Sequence, residues 1–284
     1  MLKTVLIAAF VLTAATPVLA ASNPPAAQIE AAERAFAADG LTMGVRGSFL
    51  KHMADDAIMF APAPTSAKAL YSGKSGEKEP KIEWWPAFIV AARSGDLGLS
   101  TGPAVYDGVP GGWFSSIWRK GADGTWRWIY DGGGAANAAQ APSQATPAIH
   151  GPVSAKGEGS AAKAFDIVRG AEASLAEATS RDAPAAYRAV LSGDAHLLGP
   201  RGTRPLLPTA VDTRLSQRPA TMKLALRGGG ASKAGDLVWT HGEAGWTETT
   251  KEGAQKIAAA HYMHVWQRRP DGWRLIFEAL INDR

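Results

Sequence analysis

The pattern of apolar and polar positions divides the chain into two similar runs. From Gln28, the positions Ile29, Ala32, Ala35 and Phe36 recur at helical spacing, which predicts a helix ending near Gly40. Val45, Phe49, Leu50 and Met53 predict a second helix over Met43 to Met53, and Ala57 to Ala61 reads as a short strand closed by Pro62 and Pro64. A short helix is expected at Ser66 to Tyr71 within a polar stretch, followed by a strand over Ile82 to Arg93 that Pro86 interrupts. Three long strands then fill Ser94 to Asp131, with turns at Asp107 to Gly112 and at Asp123-Gly124.

The same order returns. Ala164, Ile167, Val168, Ala171 and Leu175 predict a helix, and another is expected over Ala183 to Leu191. Asp194, Ala195 and Pro200 fall on Asp56, Ala57 and Pro62, and Pro205 to Leu215 answers the short helix. Thr221 to Arg227 answers the Ile82 strand, and Gly228-Gly229-Gly230 reads as an added loop. Asp236, Gly242 and Trp266 then fall on Asp96, Gly102 and Trp118. Matches at growing separations are what a duplicated domain with loop insertions produces; the repeat is far too long for a solenoid turn. Between the copies, Gly132 to Ser160 is almost all Gly, Ala, Pro, Ser and Gln, a composition expected to form a linker.

Two blocks carry a resemblance. The first copy has Ser94-Gly95-Asp96-Leu97-Gly98, Thr101-Gly102, then Trp118-Arg119-Lys120, Asp123-Gly124, Trp126-Arg127 and Asp131. The second keeps Gly235, Asp236, Leu237, Gly242, Trp266, Asp271, Gly272, Trp273 and Arg274, and departs at Val238, His241 and Glu278. With the element order, these blocks resemble the nuclear transport factor 2-like superfamily, in its bacterial domain-of-unknown-function branch related to SnoaL-like and ketosteroid-isomerase-like proteins. The resemblance implies an α+β fold class: two tandem cone-shaped domains, each a curved antiparallel sheet wrapped by about three helices. The boundaries are 26–131 for the first domain, 132–160 for the linker and 161–284 for the second. Members of the superfamily use the cone as an isomerase, dehydratase or cyclase site, as a ligand pocket, or only as a core. The isomerase relatives set an Asp base against a Tyr and a protonated Asp in an apolar site. No local motif of theirs is found in this sequence, so no residue is carried over, and fold alone does not give function.

Composition removes several function classes. The 284 residues include no Cys, which excludes disulfides, thiolate catalysis and Cys-ligated zinc. The net charge is only +4 with no cluster of Lys and Arg, so nucleic acid is not an expected partner. Residues 1–20 read as a secretory signal: Lys3, the apolar run Val5 to Ala15, Pro17, and Val18-Leu19-Ala20 before the cleavage point. An exported protein, periplasmic or secreted, is expected, with no membrane association after cleavage.

Candidate chemistry lies in the second copy. A hairpin turn centred between Glu252 and Gly253 sets His241 opposite His264, Trp239 opposite Trp266 and Glu243 opposite Tyr262. The first copy, by the same logic, sets Thr101 opposite Ser116 and Leu99 opposite Trp118. With all six second-copy side chains on one face, His241, His264 and Glu243 form an acid–base set for an isomerase, dehydratase or hydrolase, or a three-ligand metal set. The other reading is a ligand pocket for a small, largely apolar molecule formed by Trp239, Tyr262, Trp266 and Phe277. A third reading is a structural pair with no ligand, its domains packed on each other or the chain self-associating. Trp84, Trp85, Trp113, Trp126 and Trp128 read as sheet packing, Asp56, Asp96, Asp194 and Asp236 as turn locks, and Glu33 and His52 as solvated helix residues. Neither Gly132-Gly133-Gly134 nor Gly228-Gly229-Gly230 has the strand, helix and Lys context of a phosphate loop. No cofactor and no dedicated metal motif is read from the sequence.

Overall fold

The computed structural model describes residues 24–73, 79–136, 141–199, 211–250 and 252–282. The expected signal segment, residues 1–20, lies outside them. Helix α1 spans Pro25–His52 and breaks at Gly44, whose φ of 76° divides it into the two helices expected from the apolar spacing. A Cβ on Gly44 would lie 2.6 Å from the Glu79 carboxylate, which accepts the Arg46 backbone N–H just past the break. The chain continues through β1 (Met53–Phe60), β2 (Pro64–Ser66), α2 (Ala67–Ser72), β3 (Ile82–Trp84), β4 (Phe88–Ala91), β5 (Leu97–Tyr106), β6 (Val109–Lys120), β7 (Trp126–Ala135) and β8 (Ile149–His150). The second unit comprises α3 (Ala161–Thr179), α4 (Ala183–Val190), β9 (Leu191–Leu198), α5 (Val211–Ser216), β10 (Lys223–Ala231), β11 (Leu237–Thr249), β12 (Gln255–Arg269) and β13 (Gly272–Asn282). The expected strand Ile82 to Arg93 is two strands, because Pro86 has no N–H to give the ladder and the chain steps away between them.

Each unit has one sheet. Their orders run β2-β1-β7-β6-β5-β4-β8 and β10-β11-β12-β13-β9, with β3 also on β5. In both, the three long strands are antiparallel, and the strand after the helical segment returns parallel to the last one: β1 on β7, β9 on β13. The units are two copies of one α+β topology, each a sheet wrapped on one face by helices. Each sheet buries its helix-side face in a separate core. Ile29, Phe36, Phe49, Trp118 and Trp128 lie in the first, and Val168, Leu175, Tyr187, Tyr262 and Trp266 in the second. The opposite faces meet: Leu99, Ile117 and Tyr130 share a third core with Leu237, Trp239, Met263 and Phe277. The layers therefore run helices, sheet, sheet, helices.

The two S/A-G-D-L loops fasten this arrangement. Asp236 Oδ2 accepts the Arg93 N–H at 2.9 Å, and Asp96 Oδ2 accepts the Lys233 N–H at 3.1 Å. Each aspartate takes the backbone of the residue three places before its counterpart, the reciprocity of a two-fold contact. Asp96 and Asp236 also hold their own turns, through Ser94 and Ser232, so the turn lock expected from sequence is one half of what they do.

The segment expected as a linker is held through its backbone. Its first residues extend β7, and β8 adds in parallel to β4. Its carbonyls accept from Trp85 (Pro142 O), Arg34 (Gln144 O) and Gln267 (Pro152 O). A Gly/Ala/Pro composition offers little apolar area, but peptide groups suffice when a sheet edge and outward-pointing donors are available.

Candidate functional site

The residues that meet inside each cone are set by strand register. Thr249 pairs with Gln255, so the β11–β12 turn centres on Glu252, half a residue from the expected centre. That displacement moves every pair by one. His264 lies opposite Thr240, not His241; His241 lies opposite Met263, Trp239 opposite Val265, and Glu243 opposite His261. In the first unit Thr101 faces Ser115, Ser100 faces Ser116, and Leu99 faces Ile117. A two-residue turn at Asp107-Gly108 followed by a bulge near Ala104 gives the same displacement.

The expected sites therefore split. Thr240, Tyr262, His264 and Trp266 point into the second cone with α3. Trp239, His241 and Phe277 point to the inter-sheet side, and Glu243 pairs on the surface with Arg227 at 2.8 Å. His241 and His264 do not act on one cavity, and neither the acid–base set nor the expected ligand pocket assembles as a whole.

What does assemble is a matched pair of buried carboxylates in each unit. Glu33 on α1 and Glu172 on α3 each occupy a position four residues after one buried aliphatic and three before another apolar side chain: Ile29 and Phe36, Val168 and Leu175. Neither is solvated: Glu33 is 0% exposed and Glu172 is 2% exposed. The expectation for Glu33 fails because the apolar stripe on either side carries it into the core, where two indoles receive it: Trp84 Nε1 and Trp118 Nε1 both donate to it at 2.8 Å. Trp266 Nε1 and Thr240 Oγ1 donate to Glu172 at 2.7 and 2.6 Å. The second carboxylate comes from the last strand. A bulge at Ile129 and another at Ile276 break alternation at the same place in both copies. Trp128 and Asp131 thus both face inward, as do Leu275 and Glu278; a regular strand would point Asp131 and Glu278 at the other sheet.

Between the two acids stands Ser116 in the first unit and His264 in the second. Ser116 Oγ donates to Asp131 at 2.7 Å. His264 bridges its pair, with Nδ1 2.9 Å from Glu172 Oε1 and Nε2 3.0 Å from Glu278 Oε2. Arg218 lies across Tyr187, 4.0 Å from the ring centroid, and pairs with Glu278.

The same scaffold thus has two electrostatic solutions. The second unit holds two carboxylates, one imidazolium and one guanidinium. Burial alone would pull the His264 imidazole down, but Glu172 and Glu278 outweigh it and raise it to about 9. Burial opposes the charge on Glu278 too, and Arg218 and His264 nevertheless hold it well below the usual carboxylate range. Among the described residues the first unit has no cation in this place, and both of its acids are raised. Burial pushes Asp131 up to about 8 against the Ser116 hydrogen bond, with a further push from Glu33, and burial raises Glu33 as well.

Among the described residues, apolar space beside a buried acid is found in the first unit. A cavity of about 150 Å³ lies within the first unit, lined by Phe36, Phe49, Tyr71, Trp84, Phe114 and Asp131. Tyr106 also lines it and is 44% exposed, so it reaches the surface. In the second unit His264 is 0% exposed and enclosed by Tyr187, Tyr262 and Trp266, with Tyr262 stacked on it at 4.2 Å. The cavity at that end, about 480 Å³, has a mixed lining in which Arg214, Gln217, Arg218 and Glu248 stand beside Pro219, Trp246 and Leu280. Among the described residues no group of three or more His, Asp and Glu side chains is arranged to hold a metal ion.

Sequence reasoning missed Glu33, Asp131, Glu172 and Arg218. The first three carry a readable signal, a carboxylate repeated at matched positions of two apolar patterns. Arg218 has none, because it sits in a segment where the copies differ.

No protein-family model matches the chain, and the comparison with curated proteins finds no match. Solved structures do align with it. A ketosteroid isomerase-like protein from Erwinia carotovora atroseptica shares 17% identity at a TM-score of 0.37, over 42% of this chain and 95% of that one. A nuclear transport factor 2-like superfamily protein from Salmonella enterica serovar Typhimurium shares 13% at 0.35, over 43% of this chain and 93% of that one. A conserved protein from Planctomyces limnophilus shares 19% at 0.34, over 43% and 98%. Each solved chain is spanned almost whole by less than half of this one.

Proposed function

We propose that the protein binds a small, largely apolar molecule in the cone of the first unit, with Asp131 as the polar anchor. The observation that carries this reading is the aromatic cavity of about 150 Å³ with a buried carboxyl in its wall. An apolar cavity of that size holds a molecule about as large as benzene, so the ligand has one ring or its equivalent. A neutral carboxyl has one O–H to donate, so the ligand carries an acceptor such as a ketone oxygen. The second cone, where a ligand was expected from sequence, instead reads as a charge-balanced core that stiffens its unit. Export to the periplasm or beyond is part of the proposal and rests on residues 1–20 alone; no helix among the described residues is long and apolar enough to cross a membrane.

Cyclohexanone is a suitable probe, titrated by calorimetry against the full chain. Saturable binding that is weakened about tenfold or more by Ala104→Trp, which fills the cavity, supports the reading. Absence of binding, or binding that this substitution leaves unchanged, contradicts it.

A further inference from the structure

Helices α2 and α5 are each 6 residues long, and laid end on end they set Arg214 on Leu70. Leu70 is half-buried and packs against the first core. Arg214 is buried as well, at 6% exposed. The second unit thus holds a guanidinium at a position that the first unit fills with an apolar side chain.

That guanidinium forms no ion pair among the described residues. Its Nη2 donates to the Gly199 carbonyl, an uncharged partner. Asp212, on the same short helix, pairs with Arg188 instead. In the core alongside, the charges already cancel, Glu172 and Glu278 against His264 and Arg218. Arg214 is one positive charge beyond that balance. Burial disfavours its charge, Arg218 adds to the effect, and Glu278 makes up only part of the loss. A buried cation without a counter-ion is costly, and an anion beside it removes the cost.

The donors that Arg214 has left over face open space. It lines the cavity of about 480 Å³, and its Nε and Nη1 keep accessible surface and meet no acceptor among the described residues. Trp246, Pro219 and Leu280 give the same cavity apolar walls, and Gln217 a further polar group. Its acid is Glu248, an exposed side chain whose Oε1 accepts the Trp246 indole N–H at 2.8 Å. The volume lies in the range of small-molecule sites.

We propose that this cavity is a second binding site, for a small organic monocarboxylate whose anionic end pairs with Arg214 and whose apolar body lies against Trp246, Pro219 and Leu280. A carboxylate accepts a charge-assisted hydrogen bond from a guanidinium, roughly twice as strong as one between neutral groups. One surplus positive charge is matched by one negative charge. A dianion such as a phosphate monoester would exceed it, with Glu248 in the wall. The first cone offers the reverse chemistry, an uncharged O–H for an uncharged acceptor, so the two sites take different ligands.

The probe is 3-phenylpropionate, titrated by calorimetry against the full chain, with 3-phenylpropionamide as its uncharged counterpart. The expected result is saturable binding of the acid to the wild-type protein, with the amide weaker by about tenfold or more. Arg214→Gln is expected to weaken binding of the acid by about tenfold or more. The comparison of acid with amide needs no variant and decides the matter even where Arg214→Gln does not fold. Saturating cyclohexanone is expected to leave the affinity unchanged, which separates this cavity from the first cone. No saturation by about 1 mM, equal affinity for acid and amide, unchanged affinity in folded Arg214→Gln, or displacement by cyclohexanone would overturn the proposal.

Discussion

His264 stands in the second unit where Ser116 stands in the first: each lies on the middle long strand, opposite an inward carboxylate of the last strand and beneath a helix glutamate. One residue type changes the direction in which the surrounding acids shift: beside a serine, burial raises Asp131 and Glu33; beside a histidine, with Arg218, Glu172 and Glu278 are lowered. The substitution separates a cone with an apolar cavity and a neutral acid from one whose interior is an ion network.

His264→Ser is expected to destabilise the second unit by about 3–5 kcal/mol near pH 8, because it leaves two buried carboxylates with one cation. At pH 5 the loss is expected to be smaller, since either acid can take up a proton as its first-unit counterpart does. Urea unfolding at the two pH values reads the difference directly.

The helix glutamates respond unequally to an isosteric amide. Glu33→Gln is expected to cost about 1–3 kcal/mol, because the amide oxygen keeps one indole N–H and the amide nitrogen strands the other. Glu172→Gln removes a charge that His264 depends on and is expected to cost about 3–5 kcal/mol. Equal costs in thermal or urea unfolding would mean that the two interiors do not differ in ionisation.

Stability is expected to fall as pH rises from 6.5 to 9, while between 4 and 6.5 the lowered His241, at about 4 in the folded chain against 6.5, offsets the Asp131 carboxyl. The Asp131 carboxyl has a folded value of about 8 against 3.8 in the open chain, so between those values the unfolded state binds fewer protons there and this contribution declines with pH. His264 adds to the decline: its folded value of about 9 against 6.5 gives stability that is complete below pH 6.5 and lost through pH 9. Glu172 and Glu278, both lowered, act only at the acid end, where their contribution is lost as pH falls below the ordinary carboxylate range. Asp131→Asn is expected to turn the melting temperature upward between pH 4 and 6.5 and to make the fall between 6.5 and 8 shallower, leaving the part due to His264, as measured by calorimetry.

The loop aspartates differ in burial although their contacts are reciprocal. Asp236 is 0% exposed and satisfies both Ser232 and the Arg93 N–H. Asp236→Ala is expected to cost about 1–3 kcal/mol by stranding buried donors, and Asp96→Ala less, because water replaces the half-exposed Asp96. A comparison of the two denaturation midpoints tests this.

Much of the fold was legible because duplication wrote it twice. The helix break near Gly44, the long strands and the matched S/A-G-D-L and W-R blocks all follow from spacing and turn chemistry. The site was not legible, for two local reasons. A turn centred on Glu252, half a residue from the expected point, sends His241 and His264 to opposite faces, since side-chain direction alternates with every residue. The bulges at Ile129 and Ile276 then reverse the alternation again, and nothing in the W-R-x-x-x-D/E spacing marks them. Glu33 was readable in principle: a carboxylate amid Ile29 and Phe36, matched by Glu172 amid Val168 and Leu175, is a buried acid written twice.

The most direct test of the account is the affinity of cyclohexanone for the full chain as a function of pH, in the wild-type protein and in Asp131→Asn. With a neutral Asp131 donating to the ligand, wild-type affinity is expected to be constant up to about pH 8 and to fall about tenfold per pH unit above it. The Asn variant, whose amide always donates, is expected to bind at every pH without that fall. A wild-type profile that is flat through pH 9.5, or a fall that persists in Asp131→Asn, would contradict the claim that the first cone is a ligand site anchored by a protonated carboxyl.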